Sequence, residues 1–143
     1  MKYILAVIAA LAAVTILAAD NKPSGDSSHI QGRWDIVSCL DAGTPQPVPG
    51  LQVVITADKF SFQMNKEQTV AFKYVLDETK KPKTIDTSHE VDPGRPLTQF
   101  GIYSLEGDTL KLCLESAGRP RPTKLQATDR DTAVSWVFKR AKP

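Results

Sequence analysis

Tyr74 and Tyr103 are the residues of this 143-residue chain best suited to reading a ligand. Tyr74 falls at an apolar position of the alternation Val70, Phe72, Tyr74, Leu76. Tyr103 shares a side with Leu105, Leu110, Leu112 and Leu114. A phenol on an apolar face finds a hydrogen-bond partner, which can be protein, water or ligand. Two such phenols could orient a mostly apolar molecule, or both could be core tyrosines satisfied by the protein itself. Phe62, Phe72 and Trp136 share the same apolar parity, and together with the tyrosines they form the candidate ligand-binding set.

Other chemistry finds less support. Cys39 and Cys113 are the two cysteines; in an oxidising compartment an even count invites one disulfide, provided the backbones approach closely enough. Zinc needs more ligands than two cysteines and two distant histidines offer. His89, in "SHEVD", has Glu90 and Asp92 beside it, all expected in one exposed loop, so no metal site and no cofactor is expected. "KKPK" (Lys80, Lys81, Lys83) and "GRPRPTK" (Arg119, Arg121, Lys124) could form an anion site if the fold joins them. Neither run has the glycine cradle or aromatic interleaving of a recognition module, which favours solvated loop charge. Asp86 could hold a lysine, cap a turn or serve as a polar handle inside a cavity; Ile85 competes with it for the inward face. There is no Gly-x-Ser-x-Gly elbow, no histidine placed near a nucleophile and no inward carboxylate pair, so no catalytic residue is expected and the chain is read as a non-enzyme.

The elements that would position these residues begin after an export signal. "MKYILAVIAALAAVTILAAD" opens with Lys2, runs apolar to Leu17 and places Ala18 and Ala19 before Asp20. Residues 1–19 therefore read as a signal peptide cleaved after Ala19, which implies a periplasmic or extracellular protein. The rival is an uncleaved anchor, for which the apolar run falls just short. A lipid-anchored lipoprotein would need a cysteine directly after the cut, where Asp20 stands. Cleavage leaves 124 residues, enough for one domain with a real core. The mature balance is 17 basic against 16 acidic residues, too nearly neutral to drive binding to nucleic acid or acidic lipid. After cleavage no integral membrane insertion is expected; oligomeric state is not legible.

Residues 20–29, "DNKPSGDSSH", are polar and aperiodic and read as a disordered spacer. The domain proper spans 30–143. "QGRWDIVSCL" alternates Trp34, Ile36, Ser38 and Leu40 against Asp35, Val37 and Cys39, predicting a strand. The proline-rich stretch 44–50 is a loop and a lid candidate. "LQVVITADKFSFQM" predicts a hairpin about Ala57-Asp58, pairing Ile55 with Phe60, Val53 with Phe62 and Leu51 with Met64. "TVAFKYVLD" is the next strand, residues 84–88 a short one, "HEVDPGRP" a turn region, and "GIYSLEGDTLKLCL" a second hairpin about Gly107-Asp108. "TKLQAT" reads as a short strand, and "AVSWVFKR" closes with Val134, Trp136, Phe138 and Arg140 on one face. Eight or nine short strands without helical periodicity imply an all-β antiparallel up-and-down barrel, its first and last strands pairing to remove exposed edges.

"GRW" at Gly32–Trp34 resembles the Gly-x-Trp that opens lipocalins. That resemblance implies a lipocalin-like barrel in which Trp34 plugs the closed end and Arg140 lies across its ring. The stretches "IQGRWDIVS", "ADKFSF", "YVLDETKKPKTIDT", "GIYSLEGDTLKLCLE" and "GRPRPTKL" resemble, in order, the motifs of an uncharacterised lipocalin-like domain family secreted by bacteria and common in planctomycetes. That implies a small exported barrel and carries no assigned reaction. The chain departs from true lipocalins in ending at the last strand, without their packed C-terminal helix.

An eight-stranded barrel is either filled by its side chains or holds one small ligand. Two expectations follow. One is a secreted, non-enzymatic barrel binding a small apolar or amphipathic ligand in an internal pocket lined by Tyr74, Tyr103 and Trp136. The other is a solid-core extracytoplasmic or envelope-associated module contacting protein or polysaccharide through its loops, with no pocket above water size.

Overall fold

A computed structural model describes residues 25–143 except 66 and 131. The expected signal peptide, residues 1–19, and residues 20–24 of the expected spacer lie outside the described residues.

Nine strands follow one helical turn, α1 (Asp26–His29): β1 (Gly32–Asp41), β2 (Thr44–Pro45), β3 (Gln52–Ile55), β4 (Lys59–Gln63), β5 (Thr69–Asp77), β6 (Thr84–Asp92), β7 (Arg95–Glu106), β8 (Thr109–Leu114) and β9 (Val134–Arg140). From β3 to β9 each strand pairs antiparallel with the next, and β1 pairs with both β3 and β9. The sheet thus closes into an eight-stranded antiparallel up-and-down barrel, with the two-residue β2 added beside the end of β1. Among the described residues no helix is long and apolar enough to cross a membrane.

The hairpin registers follow the period-2 pattern. Ile55 pairs with Phe60 and Val53 with Phe62; Leu105 pairs with Leu110 and Tyr103 with Leu112. Besides the short β2 inside the stretch read as loop, three regions of the barrel wall differ from the sequence reading. In β1 the register slips between Ile36, opposite Phe138, and Ser38, opposite Val137. Val37 is the extra residue of a bulge, which bends the strand as closure demands. The alternation expected along Trp34, Ile36, Ser38 and Leu40 therefore breaks: Cys39 takes an inward position beside Trp136, while Leu40 turns out to pack on a second, external cluster. Next, "HEVDPGRP" is not a turn region throughout: only Pro93-Gly94 turn, with Gly94 at φ 81°, and the residues on either side belong to the facing arms of one long β6–β7 hairpin that also takes in the unassigned "LTQF". Finally, "TKLQAT" is not a strand. With β1 and β9 paired the barrel offers no edge for it, so the segment crosses the outside of the sheet. There Ala127 and Ala133, with Leu125, cover Ile102 and Cys113.

The lower half of the barrel is solid. Ile30, Trp34, Val53, Ile85, Leu110 and Phe138 have no measurable exposure. Gly101 faces inward in β7, where an added Cβ would lie 2.5 Å from the Cys113 carbonyl and from Leu114; only glycine fits. α1 closes this end. The expected disorder of the spacer does not extend to residues 26–29, because long-range contacts fasten them. Glu78 accepts from the Asp26 amide at 2.8 Å, and Lys83 and the Tyr103 hydroxyl both donate to Asp26 Oδ2, at 2.7 and 2.8 Å. Trp34 Nε1 donates to the Ile30 carbonyl at 2.8 Å. Arg140 donates to the carbonyls of His29 and Gln31 and to Asp108, with its guanidinium carbon 4.2 Å from the centroid of a Trp34 ring.

Candidate functional site

The upper half of the barrel is hollow. A cavity of about 340 Å³ lies at the end where β1 meets β2. Its floor is Ile36, Phe60 and Leu112, all buried. Phe62, Val70 and Phe72 rise along β4 and β5; Leu114 and Trp136 face them from β8 and β9. Phe62 organises the aromatic wall: its ring centroid is 5.9 Å from Phe72, 6.1 Å from Trp136 and 6.5 Å from Phe138, in edge-on or tilted arrangements that suit aromatic quadrupoles. Met64 and Val70, each nearly half exposed, mark the rim. Gln46, Pro47 and Val48 of the proline-rich loop line the cavity as well. That loop is pinned at both ends, by the Gln46 amide donating to the Cys39 carbonyl at 2.9 Å and the Leu51 amide donating to the Val48 carbonyl at 3.4 Å. Prolines 45, 47 and 49 restrict what remains.

The lining holds only uncharged polar groups. Gln52 donates to Asp35 at 2.7 Å, and Gln63 stands near the rim. Thr87 and Gln99 face each other across the β6–β7 pair. Gln99 donates to the Glu115 carbonyl at 3.2 Å. Thr87 is 4 % exposed, and its hydroxyl has no hydrogen-bond partner among the described residues. Cys39 presents its thiol to the same space. Burial, and then the charge of Asp41, push that thiol above its ordinary pKa, so it enters neutral chemistry as a weakly polar wall group.

Of the five candidate ligand residues, Phe62, Phe72 and Trp136 line the cavity. Tyr74 and Tyr103 do not. Tyr74 donates to the Thr56 carbonyl at 2.6 Å and packs edge-on to Phe60 at 4.8 Å; Tyr103 is bonded to Asp26 at the closed end. Both phenols find their partners within the protein. Their parity is inward, but they sit too deep along the barrel axis, and period-2 alternation carries no information about depth. Burial, and then the hydrogen bond to and charge of Asp26, push the Tyr103 phenol up.

Cys39 and Cys113 are not joined to each other. The β1 bulge turns Cys39 into the cavity, whereas Cys113 points outward beneath Ala127 and Ala133, so the sheet lies between them. Asp86 points outward too and is no cavity handle: Arg121 pairs with it at 2.7 Å, donates to the Gly101 carbonyl at 2.7 Å and lies 5.1 Å from the Phe100 ring centroid. Lys83 and Arg121, one from each basic run, are thus engaged in separate ion pairs. His89 is a β6 residue rather than a loop residue, its ring edge-on to Phe72 at 4.9 Å. Among the described residues no three His, Cys, Asp or Glu side chains converge as a metal site would require.

Sequence reasoning missed five cavity residues, Cys39, Gln52, Gln63, Thr87 and Gln99; Gln52 and Gln63 stand at positions that the alternation assigned outward. Cys39 was hidden by the bulge. Gln99 lay between the predicted turn region and the hairpin beginning at Gly101, in a stretch assigned to no element, and Thr87 follows inward Ile85 by two positions, a signal that was present.

Fold and site together define a closed antiparallel barrel with a solid base and an apolar chamber at one end. Comparison with protein-family models, curated proteins and solved structures found no match for this chain.

Proposed function

We propose that the protein is exported and acts, without catalysis, as a barrel that holds one small apolar or amphipathic molecule for transport, sequestration or sensing. The observation that carries this reading is the cavity of about 340 Å³, walled by aliphatic and aromatic side chains and opening at a rim of half-exposed apolar residues. That volume lies at the small end of the range typical of ligand pockets. Eight strands are enough for one small ligand and no more. The solid-core alternative expected no space above water size, and the chamber speaks against it. Export is supported by the composition of residues 1–19 and by the motif resemblance to a secreted family.

Native mass spectrometry of the protein from its own compartment tests the reading. A co-purifying apolar mass is expected, together with an N-terminus at Asp20. Val70→Trp places a large ring at the rim, where a half-exposed residue tolerates it, and is expected to abolish the adduct. A bare wild-type protein that shows no thermal shift across a lipid and metabolite panel would end the carrier reading.

A further inference from the structure

We infer that the chamber selects uncharged molecules carrying a hydrogen-bonding group, and that Thr87 is the residue that reads that group; this rests on the carrier reading above. A hydroxyl 4 % exposed and without a partner among the described residues is costly to bury. It is also bifunctional: it donates one hydrogen bond and accepts others. His89 Nδ1 is also buried and unpartnered, but its ring is only half-buried and does not line the cavity, and Asp86 is paired with Arg121; the other deeply buried polar side chains have an evident occupation. The Ser135 hydroxyl accepts from the Ala127 amide at 3.1 Å, the Tyr74 hydroxyl donates to Thr56, and the Tyr103 hydroxyl donates to Asp26. Thr87 alone among these keeps its capacity unspent, and it is a residue of the cavity wall, where a turn about its Cα–Cβ bond brings the shielded hydroxyl to a ligand.

The surroundings limit what can use that capacity. The cavity's apolar lining includes Phe60, Phe72, Leu112 and Leu114, and the polar residue facing Thr87 is the uncharged Gln99. None of the described residues lining the cavity carries a formal charge. A carboxylate or ammonium carried down to Thr87 would lose its hydration and meet no counter-charge, whereas an alcohol, ketone or ester would lose little and gain a bond. The ligand class is therefore a compact, mostly apolar molecule with a neutral oxygen at its buried end. An ionised amphiphile can enter only tail first, its head left in water at the rim, where Thr87 does nothing for it.

Calorimetric titration of the full mature chain with 1-octanol and with octanoate at pH 8 tests this. Octanol is expected to bind the wild type more tightly than octanoate. Thr87→Val should weaken octanol binding roughly two- to tenfold, the worth of one net hydrogen bond, and leave octanoate unchanged. Thr87→Ser should retain octanol binding. The unliganded Thr87→Val protein should melt no lower than the wild type, since valine fills the same space without an unpaired hydroxyl. Octanol binding that Thr87→Val leaves intact or strengthens would overturn the inference and spare the carrier reading. So would octanoate binding as tightly as octanol with the same dependence on Thr87. If neither compound binds the wild type, the carrier reading falls and this inference with it.

Discussion

The guanidinium carbon of Arg140 lies 4.2 Å from the centroid of a Trp34 ring, and the same side chain donates to the carbonyls of His29 and Gln31. One arginine from the last strand therefore fastens the first strand and the helical turn before it. Arg140→Ala is expected to destabilise the protein by about 2–3 kcal/mol, a sum of lost cation–π contact and charge-assisted hydrogen bonds. Arg140→Lys should recover little, because an ammonium cannot reach two carbonyls in a planar fork while covering the ring. Urea unfolding of the three proteins decides it; a lysine variant as stable as the wild type would refute the fork argument.

Asp26 gives the closed end its acid sensitivity. Burial raises its carboxyl pKa, but hydrogen bonds from Lys83 and Tyr103 and the charge of Lys83 outweigh that and hold it below the ordinary carboxylate value. A folded-state pKa below the unfolded one means stability that is present above about pH 4 and lost as pH falls through that range and beyond. Asp26→Asn should lower stability at pH 7 by about 1–2 kcal/mol and flatten the acid limb of the stability curve. Melting curves at pH 7 and pH 3 read both effects. A variant offset from the wild type by the same amount at both pH values would contradict this assignment.

Gly101→Ala tests how tightly the β7–β8 side of the barrel is packed. The new Cβ would meet the Cys113 carbonyl and Leu114 at 2.5 Å, so the β7–β8 ladder must open to admit it. A loss of about 2 kcal/mol or more is expected, in the range of overpacked cores. Hydrogen exchange should show the loosening first in β8 amides. An alanine variant with wild-type stability would mean that the strands yield easily.

Cys39 reports on the chamber. Its raised thiol pKa keeps the thiolate scarce at neutral pH, so alkylation of Cys39 in a Cys113→Ser variant should be slower than that of a free thiol at pH 7.5 and climb as pH passes the ordinary thiol range. Occupancy of the chamber should slow it further. Prior reduction should change nothing; a reaction that appears only after reduction would show that Cys39 had been bonded elsewhere.

How much of this was legible in the sequence depends on what each signal measures. Alternation fixed which residues share a face, and the β3–β4 and β7–β8 hairpins have the register read from Ile55–Phe60 and Leu105–Leu110. It failed where one residue was added, at Val37, because a bulge inverts parity for everything that follows until the strand ends. It failed again on height along the axis. Tyr74, Tyr103, Phe62 and Trp136 all point inward, yet only the last two reach the hollow half. The role of α1 was invisible for a different reason. Its anchors, Lys83 and Tyr103, stand 57 and 77 residues away, and a polar stretch that is ordered only by remote partners carries no local period.

Both described ends of the chain, Gly25 beside α1 and the segment leaving Arg140, gather at the plugged pole, with the opening at the other. Whatever is spliced onto either side of the domain, whether an affinity tag, a partner or a surface tether, therefore departs from the base. A molecule held that way stands like a cup on its foot, with its lip turned toward the surrounding fluid.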